Sequence, residues 1–177
     1  MEKFIDREIS ALEFNARVLA EGMDSTNPLL ERLKFIGIVS SNMDEFFMVR
    51  MASLKASQSP MDVIRQKALS LLEKRNDYFL NTVVPELEAA GFTRTQPESC
   101  NPKQLEFLIS YFKREILPVI TPIAIAEDRP LPVLTNLRLY FVVGLVEAGG
   151  KGAAKYAVVE IPHKAVPRMI FLPTEKG

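Results

Sequence analysis

Cysteine occurs once in this sequence, at Cys100, and histidine once, at His163. Neither sign of charge is in excess: 22 Lys and Arg balance 22 Asp and Glu over 177 residues. Each shortage excludes something. A lone cysteine rules out an intrachain disulfide and fits a reducing cytoplasm. With no histidine near it in sequence and no CxxC partner, it supports neither a metal site nor a nucleophile. A net charge of zero argues against a dedicated nucleic-acid binder, which carries a basic excess or stripe, though a local cationic patch for phosphates stays open. No apolar run approaches the roughly 20 residues of a membrane span. The charged start, Met1-Glu-Lys-Phe-Ile-Asp-Arg7, lacks the apolar core of a secretion signal. What is present is 47% hydrophobic and 25% charged residues, the balance of a folded globular protein of one or two domains.

The first half reads as helices. Asp6 is a good N-cap, and Ile5, Ile9, Leu12, Ala16, Leu19 and Met23 form an apolar stripe at helical spacing, ended by Gly22 and Asp24-Ser-Thr26. The stripe is too short for a convincing coiled coil and predicts a bundle face. Asn27-Pro28 has the form of a cap followed by the first helical residue. The stripe of this second helix runs Leu29, Leu33, Ile36, Ser40, Met43, Phe47, Met51 and Leu54. Ser59-Pro60 repeats the signal for a third helix over Met61, Ile64, Ala68, Leu71, Leu72, Tyr78 and Phe79, which Pro85 should bend or interrupt and Gly91 should end. Residues 93–101 read as a linker. Asn101-Pro-Lys-Gln104 is a capping box before a fourth helix that stops ahead of Pro118.

The pattern then changes. Proline recurs at 118, 122, 130 and 132, and the period falls towards two. Leu137–Val146, Tyr156–Ile161 and Met169–Leu172 read as strands, with a flexible loop at Ala148–Gly152. Two or three strands make a thin sheet for an independent core, so the second region reads as incomplete. No internal repeat is visible.

One block stands out. Ser40, Ser41, Asn42, Asp44 and Glu45 interrupt the apolar pattern of the second helix. Serine and asparagine compete for backbone hydrogen bonds and suit helix interiors poorly, so the block is a helix boundary, a site, or both. A kink near Ser40–Asn42 is expected, with Ser41 or Asn42 capping a new helix and Asp44 and Glu45 in its first turn.

At this point the residues carry a resemblance. Arg7-Glu-Ile-Ser-Ala-Leu-Glu-Phe-Asn15, Asn27-Pro-Leu-Leu-Glu-Arg-Leu-Lys-Phe35 and Ser40-Ser-Asn-Met-Asp-Glu-Phe-Phe-Met-Val-Arg50 together resemble the amino-terminal domain of bacterial polyphosphate kinases of the first type. Leu117-Pro-Val-Ile-Thr-Pro122, Thr135-Asn-Leu137 and Val166-Pro-Arg168 resemble the opening of that family's head domain. Essentially the whole chain is covered, with one departure: Ala11 stands where the family usually has tryptophan. The resemblance implies an α+β fold, with an amino-terminal antiparallel helical bundle over residues 1–98 and an incomplete α+β head domain over 99–177. It implies reversible transfer of the terminal phosphate of ATP to polyphosphate through a phosphohistidine. The nucleophile, the Mg2+ ligands and most phosphate-binding cations of the family belong to its carboxy-terminal half, so this chain should hold no catalytic residue and no metal ligand. Its expected part is to help position ATP and to build a homo-oligomer. ATP and polyphosphate are the implied partners, nucleic acid is not one, and the implied setting is cytoplasmic, with membrane association of the whole enzyme left open.

One site residue carries over. Asn42 matches the family's asparagine at the ATP site, and an amide that both donates and accepts suits a polar group on a nucleotide. The plain alternative is a helix cap. Asp44 and Glu45 are adjacent, point about 100° apart on a helix and do not converge on a metal. Arg50 is expected in a helix-surface ion pair. His163, in a proline-flanked loop, matches no nucleophile motif and reads as a surface residue. Gly149-Gly-Lys-Gly152 lacks the Ser or Thr and the helix of a Walker motif. A competing function is a non-catalytic helical interaction module, whose stripe from Ile5 to Met23 packs on a partner chain.

Overall fold

Asp6 does what its position predicts. In the computed structural model its carboxylate accepts from the backbone N–H groups of Glu8 (2.8 Å) and Ile9 (3.1 Å), opening helix α1, Arg7–Met23. The structure describes residues 6–51, 61–126, 130–146 and 155–174. These build an α+β fold in two compact units, Met1–Arg94 and Thr95–Gly177.

The first unit is helical. After α1 comes α2, Leu29–Glu45, which runs into a widened π-helical turn, Phe46–Met51. Then α3, Met61–Tyr78, passes through a second π turn, Phe79–Val83, into α4, Val84–Ala89. The break before Pro85 has a local cause. Proline has no N–H for the carbonyl four residues back, and its ring crowds that carbonyl. The turn widens instead, and the Val84 N–H bonds the Phe79 carbonyl five residues back. Gly91, at φ +91°, ends α4 as predicted, with Gly91 N–H on Glu88 O and Phe92 N–H on Leu87 O.

The stripes that pack are not those that spacing alone selects. On α1 the buried positions are Leu12, Asn15, Leu19 and Gly22, and Ala16 is exposed. Gly22 is needed for close approach: a Cβ there would lie 3.1 Å from Phe35 Cβ and 3.3 Å from the Arg32 carbonyl of α2. On α2 the buried series is Arg32, Ile36, Val39 and Met43, followed by Phe46, while Phe47 is left outside. On α3 Ile64, Ala68 and Leu71 turn inwards as the sequence requires. Together with Val83 the apolar members of these series form one core. Leu54 and the Ser59-Pro60 cap lie outside the described residues.

Two predicted caps are corrected. Asn27 does not cap α2, whose cap residue, Pro28, makes no side-chain bond. The Asn27 amide reaches back and donates to the Glu21 carbonyl at 2.9 Å, closing α1 instead. Neither Ser41 nor Asn42 caps a helix, because α2 runs unbroken through Ser40–Asn42. Ser40 Oγ donates to its own Ile36 carbonyl (2.8 Å) and accepts from Arg75 of α3 (3.1 Å), so the hydroxyl is satisfied without a break. Asp44 and Glu45 therefore sit in the last turn of α2, not in a first turn.

A buried arginine ties the helices of this unit together. Arg32 meets the Glu86 carboxylate with both terminal nitrogens and donates to Tyr78 Oη at 2.9 Å. The bonds to Glu86, and next to Tyr78, raise the Arg32 pKa further and hold the Glu86 carboxyl below its ordinary range.

The second unit begins with a single 3-10 turn, Pro97–Ser99, and then α5, Pro102–Tyr111. The predicted capping box is formed: Asn101 Oδ1 accepts from Gln104 N–H (2.9 Å) and Gln104 Oε1 from Asn101 N–H (3.1 Å). Three strands follow, β1 Pro122–Ile125, β2 Tyr140–Leu145 and β3 Lys155–Glu160, in antiparallel order β1-β3-β2. The sequence reading missed β1, which hides behind Pro122. A proline is tolerated there because it opens an edge strand. Conversely, Met169–Leu172 is not a strand. That segment is held by Gln104 Nε2 donating to the Pro173 carbonyl at 3.3 Å. The loop at Ala148–Gly152 lies outside the described residues.

Candidate functional site

Two features of the first unit open a cleft beside Asn42. The first is the π turn. The Phe46 N–H is shared between the carbonyls of Asn42 and Met43, and from there the chain widens. Extra turns of this kind cluster at functional sites. Here the turn buries Phe46, with Phe47 edge-on to it at 5.7 Å, and brings Arg50 round to the side of α1. The second feature is Ala11, whose small side chain leaves space at the cleft wall.

The cleft has a volume of about 410 Å³. That is within the usual 300–1,000 Å³ of small-ligand sites. One wall is α1, with Arg7, Ser10 and Asn15; the other is α2 and its π turn, with Asn42, Glu45 and Arg50. Phe14 and Phe46 supply apolar surface. The Asn42 amide is half-buried and not sealed among apolar neighbours. Its Nδ2 donates to Asn15 Oδ1 at 2.9 Å. Two cations, Arg7 and Arg50, and one carboxylate, Glu45, line the cleft. Arg50 Nη1 also pairs with Glu8 of α1 at 3.2 Å, a bridge between helices and not the neighbouring-residue pair that spacing predicts.

The remaining predicted residues fall elsewhere. Asp44 is exposed and does not line the cleft. Among the described residues no three Asp, Glu, His or Cys side chains converge, and one carboxylate, Glu45, lines the cleft. His163 belongs to the second unit, where its Nδ1 lies 2.8 Å from Arg138 Nη1 and 3.8 Å from Glu160. Cys100 is free, its Sγ 3.5 Å from the Gln96 carbonyl. Residues 149–152 are outside the described residues. Among the described residues no helix is long and apolar enough to cross a membrane.

The sequence reading missed Asn15 and Arg7 as cleft residues. The available signal was a polar residue at position 15, three residues after Leu12 and four before Leu19, where an apolar side chain belongs.

Comparison with known proteins bears on this arrangement. A family model described as the polyphosphate kinase N-terminal domain matches residues 4–94, and one described as the polyphosphate kinase middle domain matches residues 103–177. A polyphosphate kinase of Bacillus cereus is 41% identical over 96% of this chain, and one of Prochlorococcus marinus is 36% identical over 98%. The chain spans 27% and 26% of those relatives. The crystal structure of a polyphosphate kinase from Porphyromonas gingivalis superimposes with a TM-score of 0.75 at 34% identity, over 95% of this chain and 27% of that one.

Proposed function

From the premise that this chain belongs to the polyphosphate kinase family, we propose that it is the amino-terminal portion of an enzyme moving the terminal phosphate of ATP reversibly onto polyphosphate through a phosphohistidine. In this reading residues 1–98 and 99–177 are the family's amino-terminal and head regions. Their share of the work is to position ATP and to build a homo-oligomer, while the histidine and the magnesium ligands belong to other parts of the enzyme. The observation that carries the reading is the opening of Asn42, at the family's asparagine position, onto a cleft that also holds Arg7 and Arg50. Phosphoryl transfer depends on positioning and on charge around the γ-phosphate, and an amide between two helices with cations nearby supplies positioning alone.

ATP titration of the wild type and of Asn42→Ala tests this. The variant should bind about fivefold to tenfold more weakly, the value of one hydrogen bond in a partly desolvated site. Equal affinity in both would remove Asn42 from the site. With radiolabelled ATP, these 177 residues should form neither polyphosphate nor a phosphohistidine; label on His163 would overturn the assignment of chemistry to other parts of the enzyme. The interaction-module reading loses its main support in the fold, since Leu12 and Leu19 of the proposed docking stripe are spent inside the core.

A further inference from the structure

The cleft contains a second amide with no role assigned above. Asn15 is 6% exposed and sits in the middle of α1, where asparagine is a poor helix former. Its Nδ2 donates to the Ala11 carbonyl, one turn back, at 2.9 Å. Turned over, it would set its own oxygen against that carbonyl, two acceptors in contact in a buried place. Helix α1 therefore fixes the orientation of Asn15 and leaves its Oδ1 facing α2. There it takes the Asn42 Nδ2 donor at 2.9 Å. The same constraint passes on: a reversed Asn42 would bring oxygen to oxygen and lose the bond.

Two hydrogen bonds in series thus decide which Asn42 atom is used inside the protein and which is left over. One of the two Nδ2 hydrogens is engaged with Asn15, and the oxygen on the other branch of the amide is left. Among the described residues Arg32 Nε is the one buried side-chain polar atom without a partner, so Asn42 Oδ1 is not shut away, and Asn42 lines the cleft.

We propose that Asn15 is a positioning residue that holds the Asn42 amide with its oxygen towards the cleft, so that the cleft selects a ligand group donating a hydrogen bond. The proposal rests on the nucleotide reading of this cleft. An ionised triphosphate presents acceptors only and has nothing to offer this oxygen. Asn42 then reads the other end of the nucleotide, where the donors are the exocyclic amine of the base and the ribose hydroxyls. The acceptor-rich phosphates suit Arg7 and Arg50 instead.

The test compares the wild type with Asn15→Leu, which cannot hold Asn42, and with Asn15→Gln, which keeps both an amide donor for the Ala11 carbonyl and an oxygen for the Asn42 Nδ2. Affinities are measured for ATP, for purine riboside triphosphate, which lacks the amine, and for the 2′- and 3′-deoxy forms of ATP. The Asn42 side-chain NH2 signals are followed by NMR without ligand. The expected result is that one Asn42 amide proton is protected in the wild type and not in Asn15→Leu. The leucine variant should bind ATP about fivefold more weakly and lose its preference for ATP over whichever analogue lacks the donor, while Asn15→Gln keeps that preference. The analogue that binds less well to the wild type identifies the donor as amine or hydroxyl. A folded Asn15→Leu protein that keeps the full preference overturns the proposal, as does a wild type indifferent to all three analogues. If the wild type binds no nucleotide at about 1 mM while the Asn42 proton is protected, the nucleotide reading fails and selection fails with it. If ATP binds but the proton exchanges freely, positioning by Asn15 fails alone.

Discussion

The two units of this chain solve the problem of burial differently. The first closes a single core in which Val39, Ile64, Ala68 and Val83 are wholly out of water and Leu19 and Met43 almost so. The second buries Ala157 and Val158 of its central strand and leaves Val133 (99% exposed), Phe171 (88%) and Leu131 (74%) in the open. Its edge strands β1 and β2 carry exposed Ile123, Phe141 and Val142. The difference teaches where order comes from. Packing specifies the first unit. The second, as these residues build it, rests on ladder hydrogen bonds, caps and turns, and Leu137, held at φ +57°, shows that its turns are not relaxed.

The comparison breaks most readily in the core. Ile64→Ala should cost about 3–4 kcal/mol, from lost transfer energy and the cavity left among well-packed neighbours. Val142→Ala on β2, 66% exposed, should stay within about 0.5 kcal/mol. Chemical denaturation of both variants measures this. Similar losses at the two sites would mean that the sheet face is covered in solution and that the contrast between the units is false.

A smaller effect sharpens the account of the first unit. Arg32 is buried and Glu86 is its carboxylate partner, with a pKa held below the ordinary 4.5 by the hydrogen bonds from Arg32. A carboxyl whose pKa is lower folded than unfolded stabilises the fold above its ordinary value, and that contribution fades as pH falls through the lowered value. Glu86→Gln keeps the shape and removes the charge. Its unfolding midpoint should lie below that of the wild type at pH 7 and converge with it in acid. A gap that persists below about pH 3 would assign the loss to geometry and not to charge. No such pH-dependent term is expected from Asn101 and Gln104 in the second unit, where the capping groups carry no charge.

What the sequence disclosed follows from how local the deciding interaction is. Asp6, the Asn101–Gln104 box, Pro85 and Gly91 act within a few residues of themselves, and all four behave as read. Ser40 misled because its hydroxyl is satisfied twice, once by Ile36 on its own helix and once by Arg75, 35 residues away. Asn27 misled because a cap can serve the helix behind it as well as the one ahead. The helix stripes shifted because Asn15, Gly22 and Arg32 are buried for reasons that hydrophobicity does not encode: an amide pair 27 residues apart in sequence, a close helix crossing, and a carboxylate 54 residues downstream. At the candidate site, Asn42 stood out in the sequence as a polar residue; its place within an unbroken helix was not legible, nor was the cleft beside it, since the other wall comes from α1.

The smallest predicted effect sets the two units side by side. Asp6 and Asn101 each cap a helix by accepting from backbone N–H groups, and replacing either by alanine should cost about 1 kcal/mol locally. The consequences should differ. Helix α1 keeps Leu12 and Leu19 locked in the core after its cap is lost, so Asp6→Ala should lower the global unfolding midpoint without fraying more than the first turn. Helix α5 has no fully buried residue: Phe107 and Leu108 are half-buried, and beyond its cap and its own hydrogen bonds it has the Gln104 bond to the Pro173 carbonyl to resist fraying. Asn101→Ala should therefore show itself in amide exchange, with the protons of residues 104–108 exchanging about fivefold faster for the same local cost. If those protons stay protected while the global midpoint falls, α5 is packed against something that its exposed face does not reveal, and the second unit has a core of its own.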